Sequence, residues 1–171
     1  MTDILITGII NWFHVISVIG WTGAVLTLII SINPSLKKFS AQANGEFVVK
    51  AMPRLVRSVQ IFSVSTLIFG PLLAFTMNDG PPNAFDLISP WSRFVTAGAT
   101  VGVIMLLMVF FFLTPTAKRL VRAVSDMQKD PQRPPPLAEL KVLQRRMAIG
   151  TPLSVALLLL AEVFMVGAAQ F

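Results

Sequence analysis

"ILITGIINWFHVISVIGWTGAVLTLIISI", Ile4 to Ile32, runs for 29 residues without an Asp, Glu, Lys or Arg. Wound as an α-helix at 1.5 Å per residue, it exceeds the about 30 Å of hydrocarbon in a bilayer. Its one ionisable side chain is His14, the only histidine in the chain. Three more apolar runs follow, at about residues 55–77, 91–114 and 147–169. The chain of 171 residues is 54% hydrophobic and 13% charged, with a mean hydropathy of +0.74. A soluble domain carries about a quarter of its residues charged, so this chain lacks the polar surface to face water all round. The expected fold is all-α: a polytopic membrane protein with four transmembrane helices in an antiparallel bundle. Residues 1–171 form a single membrane domain.

Helix-breaking residues punctuate the runs. Asn33-Pro34 is expected to end the first span, Asn78 to Pro82 the second, and Thr114-Pro115 to interrupt the third. Pro152 is expected in the first turn of the fourth, where proline is tolerated. The segment after Pro115 is expected to stay helical to about Met127, break at "KDPQRPPP", and restart near Leu137 as a basic helix. The first run is too long for a signal-peptide core, and Asp3 stands where a basic region belongs, so no cleaved signal peptide is expected.

Charge placement predicts orientation. Lys37, Lys38, Lys50, Arg54 and Arg57 lie between spans 1 and 2, and eight basic residues lie between spans 3 and 4. The connection between spans 2 and 3 holds Asp79 and Asp86 and no Lys or Arg before Arg93. Loops rich in Lys and Arg stay cytoplasmic, which puts both termini outside a cytoplasmic membrane. The net charge of +6 is therefore a membrane signature, facing anionic lipid, and no nucleic-acid partner is expected. The absence of cysteine excludes disulfides, thiolate metal sites and a thiol nucleophile, and the absence of tyrosine excludes a phenolic acid. No Ser-His-Asp order or hydrolase metal spacing is present, so an enzyme is not the expected reading.

Ionisable groups inside spans are costly and mark function by default. His14 lies about ten residues from the outer end of span 1, and Glu162 seven to nine residues from the outer end of span 4. Counting residues puts both about 11–15 Å below one interface, and an up-down bundle makes their helices neighbours, so a His14–Glu162 contact is expected. Trp21 lies two turns from His14 on the same face, Met165 lies one turn from Glu162, and Gly20, Gly23 and Ala24 permit close approach. Arg93, Thr96 and Thr100 form a polar stripe on span 3, with Arg93 either snorkelling outward or reaching Glu162. A structural pairing that fixes helix register is the plainer alternative for His14 and Glu162. Trp12 and Trp91 fit an interfacial aromatic belt, while Trp21 and Met105 are expected to pack within the bundle.

His14, Trp21 and Gly23 compose H-x6-W-x-G, which resembles the first helix of the copper-resistance protein D (CopD) family of four-helix membrane domains. "MPRLVRSVQIFSVSTLIFGPLLAF" (52–75), with its Arg-rich entry and Gly70, is similar too, as is the basic helix leading into span 4. The resemblance implies copper handling at the membrane, with His14 and Met165 as ligands and Glu162 as a third ligand or charge partner. Imidazole and thioether suit that metal. The HemJ-type protoporphyrinogen oxidases share the histidine and tryptophan but place a lysine early in span 3. Here "WSRFVTAGAT" has Arg93 and no lysine, which argues against porphyrinogen oxidation. Two alternatives stand beside copper. One is a b-type haem or electron-transfer subunit using His14 as axial ligand, with Trp21 in the binding wall. The other is a non-catalytic accessory subunit whose partners are other membrane subunits or further copies of this chain.

Overall fold

A computed structural model describes residues 2–36, 38–77, 87–130, 132 and 137–171. Four long apolar helices account for nearly all of them: α1 (Ile4–Leu36), α2 (Ala41–Met77), α3 (Pro90–Lys129) and α4 (Leu137–Ala168). The expected all-α, four-span architecture is the observed one. Both chain ends lie on one side of the bundle, called here the terminal side; the Lys- and Arg-rich turns lie on the basic side.

All four helices outrun the sequence-derived spans on the basic side or match them within a few residues. The prolines explain why the expected stops are not stops. In α1, α2 and α3 a π-helical turn (Leu28–Ile32, Phe47–Ala51 and Val109–Leu113) stands just ahead of Pro34, Pro53 and Pro115. In each, the residue before the proline donates its N–H to the carbonyl five residues back: Asn33 to Leu28, Met52 to Phe47, Thr114 to Val109. Proline has no N–H and its ring collides with the carbonyl four residues back, and widening the turn relieves both problems. The helix then continues, through Pro34 to Leu36 and through Pro115 to Lys129. The expectation that Asn33-Pro34 ends the first helix is therefore corrected. Pro152 is corrected as well: α4 begins at Leu137, so this proline sits mid-helix. The second helix is described as far as Met77, and its expected end at Asn78 to Pro82 lies outside the described residues. The break after α3 and the restart at Leu137 also match.

The four helices pack as two hairpins. α1 lies along α2, and α3 along α4; contact between the pairs is sparser and runs mostly between α2 and α3. Within each hairpin a glycine receives an aromatic or long side chain of its neighbour. A Cβ at Gly20 would stand 2.6 Å from the Phe62 ring, and one at Gly98 would stand 2.8 Å from Cε of Met165. Such close approach is how membrane helices gain dispersion contact where lipid supplies no hydrophobic drive. Phe13 and Phe69 stack at 5.1 Å beside the Ser17–Ser65 hydroxyl bond of 2.9 Å.

The hairpins meet in a core of Trp21, Val25, Met105 and Leu158, where Trp21 is 2% exposed and Met105 fully buried. Gln60 Nε2 donates to Thr114 Oγ1 across the same divide at 3.0 Å. Towards the terminal side Ala74 of α2 still packs against Val95 of α3 and Ala168 of α4, whereas α1 and α4 stand apart.

Candidate functional site: a cavity between the hairpins

The parting leaves a cavity of about 840 Å³, walled by all four helices from Asn11 to Leu26, Thr66 to Met77, Trp91 to Gly102 and Leu158 to Ala169. Its lining is overwhelmingly apolar, and its polar members are few: His14, Trp21, Thr22, Thr66, Glu162 and Asn11. Met165 lines it as well. Trp21 and Leu158 of the core close its inner end.

His14 is placed by glycine. A Cβ added at Gly70 would stand 3.0 Å from Cε1 and 3.4 Å from Nδ1 of the imidazole, with Nε2 farther off at 3.9 Å. The Cε1–Nδ1 edge therefore lies flat on α2. The ring also meets the backbone of Thr66, while Nδ1 is enclosed and makes no hydrogen bond of normal geometry. His14 thus stands in the cavity wall against α2, its Nδ1 buried without a hydrogen-bond partner.

Glu162 is placed by a threonine. Thr22 Oγ1 on α1 donates to Glu162 Oε1 on α4, a bond that crosses between the hairpins. His14 and Glu162 make no hydrogen bond or ion pair with each other, so the expected contact is not formed. Thr22 lies eight residues beyond His14, about 12 Å along the helix axis, and Glu162 follows it there. Residue count along each helix does not fix which residue of α1 faces Glu162, and the packed bundle presents Thr22.

The remaining candidates divide. Trp21 and Met165 share the cavity wall with His14 and Glu162, Met165 resting on Gly98. Arg93, Thr96 and Thr100 do not line it. Arg93 is exposed, and its Nε and Nη2 donate to the carbonyls of Leu87 (2.8 Å) and Ile88 (3.3 Å), away from Glu162. Leu87 has a left-handed backbone, φ 60°, and the guanidinium secures that turn. Thr100 Oγ1 donates to the Thr96 carbonyl at 2.8 Å, and Thr96 Oγ1 is buried without a partner. Trp12 is 69% exposed on the lipid face, whereas Trp91 turns into the cavity wall. Among the described residues no three His, Cys, Asp or Glu side chains converge as a metal-ion group.

Thr22 and Thr66 were not singled out from the sequence. Thr22 carried one usable signal, a hydroxyl one residue from Trp21 in the H-x6-W-x-G run. No family model, curated protein or solved structure matches this chain.

Proposed function

We propose that this is a membrane cofactor-binding protein whose cavity takes b-type haem, held through His14. The supporting observation is the cavity itself: an apolar space of about 840 Å³ whose wall carries a backbone-oriented imidazole. Cofactor pockets run to about 300–1,000 Å³ with mostly apolar linings and a few placed polar groups, whereas a copper ion with its ligands fills a small fraction of this space. The residues fit a single haem. His14 and Met165, both in the cavity wall, would hold it, and with one histidine in the chain there is no second imidazole to offer. Bound there, the group would supply one-electron redox chemistry. The chain's own part is to seat the imidazole on Gly70, exclude water with the Trp21 floor and offer apolar walls.

Copper, as the CopD resemblance implies, is the second reading, favoured by one observation: His14, Met165 and Glu162 all line the same cavity. We further propose that the basic turns face the cytoplasm and both termini the outside, which opens the cavity toward the outer leaflet.

One preparation decides. Detergent-purified protein is expected to show a Soret band that His14→Ala abolishes. Stoichiometric copper, lost in the same variant and without a Soret band, would replace haem by copper. Neither cofactor, with co-purification in a larger complex, would establish the accessory subunit.

A further inference from the structure

Two sides of the cavity differ. On the α2–α3 side, Ala74 and Val95 are buried and packed together. On the α1–α4 side the helices stand apart, and residues that line the cavity also face outward. Ile19 and Val166 are each 65% exposed, and Val15 is 42% exposed. A side chain belongs to a cavity wall and to the outer surface together only at a mouth. Helical spacing draws its two rims. Val15, Ile19 and Thr22 follow at i, i+4 and i+7 along α1, and Glu162, Val166 and Ala169 do the same along α4. The Thr22–Glu162 hydrogen bond sets the register of these antiparallel rims, so that one turn towards the terminal side Ile19 stands across from Val166. Beside that bond the slit is unfilled: a Cβ at Gly23, itself a cavity residue, would meet no atom within 4 Å.

We propose that the slit between α1 and α4 is the entrance to the cavity, and that the cavity takes a lipophilic molecule sideways from the bilayer. The rims belong to helices long and apolar enough to span a membrane, and exposed Val and Ile on such helices meet acyl chains. Glu162 is the one charged residue on these two helices between Ile4 and Ile32 and between Met147 and Ala168. A hydrated ion entering here would shed its water against aliphatic side chains. An apolar molecule leaves hydrocarbon for an apolar wall and loses no hydration on the way. The occupant is therefore drawn from solution in lipid, which suits a hydrophobic ring system, whereas a copper ion would need another way in. The proposal rests on the cavity being a ligand site, and says where a haem bound at His14 would come from.

The test uses the full chain in lipid nanodiscs and an aryl trifluoromethyl diazirine, an apolar probe that dissolves in the bilayer. Light converts it to a carbene that inserts into the side chains it touches, and mass spectrometry locates the adducts. Val95 and Ala99, on the α3 wall of the cavity, are expected to be labelled together with Trp12, which faces lipid. Labelling of Trp12 without Val95 and Ala99 overturns the proposal on the unaltered protein. The double variant Ile19→Cys with Val166→Cys then allows the mouth to be bridged, after folding, by a short bifunctional methanethiosulfonate. Bridging is expected to lower labelling of Val95 and Ala99 fivefold or more, to leave Trp12 unchanged, and to be reversed by a reducing agent. Labelling that survives a bridge verified by mass overturns the proposal and puts the entrance at the terminal end of the cavity. Cysteines that cannot be bridged show that the rims are not opposed, and overturn it equally. Absence of a Soret band would sink the haem reading and leave these outcomes standing.

Discussion

A side chain at position 70 would stand 3.0 Å from Cε1 of His14, so the imidazole keeps its seat only while residue 70 is glycine. Gly70→Val is expected to push the ring off α2. Because the chain has one histidine, the change is readable without ambiguity: modification by diethylpyrocarbonate should quicken several-fold relative to wild type. Glu162 depends in the same way on Thr22. Thr22→Val leaves the carboxylate without that donor and is expected to cost about 1–3 kcal/mol in thermal unfolding. A double-mutant cycle with Glu162→Leu, which removes the acceptor, should return a coupling of about 0.5–1.7 kcal/mol, the range of interhelical hydrogen bonds in membranes. At this scale the sequence singled out His14 and Glu162 and expected them to pair, whereas Glu162 pairs with Thr22. Residue type and depth are written along one helix, but the partner is chosen by how two helices rotate against each other, which no single span records.

Among the elements, the three prolines behave alike. Each follows a π turn that absorbs the missing N–H, and the helix goes on. A π turn equals one residue inserted into an α-helix, with the flanking faces kept in phase. Phe111, 78% exposed in the π turn of α3, is therefore removable, but only if Pro115 no longer collides with the carbonyl behind it. Deleting Phe111 alone is expected to cost about 3 kcal/mol or more, and deleting it with Pro115→Ala about 1 kcal/mol or less, by thermal unfolding in detergent. Equal costs would show that proline does not cause the turn. The spans themselves were legible because a run of apolar residues has one stable solution in lipid. Their ends were less so, since the rule that proline stops a helix assumes nothing nearby can repair it.

For the whole molecule, the proposed orientation rests on the Lys and Arg content of the turns, and the chain suits a direct check because it has no cysteine. A single cysteine at Ser40 or Ser125 should resist a membrane-impermeant maleimide in intact cells and react in inverted vesicles. One at Gln170 should do the reverse. The cavity was not legible in the sequence at all. It arises because α1 and α4 each saturate a glycine-and-aromatic seam with their own hairpin partner, leaving little contact between those two helices.

That division bears on biogenesis. A translocon releasing this chain delivers two hairpins, each with its internal seam complete before the other need be present. Their docking, over the Trp21 floor and through Thr22–Glu162 and Gln60–Thr114, is then the last event of assembly. The cavity comes into being only at that moment. An occupant present at that moment is met by two separate halves, and its capture and the closing of the bundle become one step.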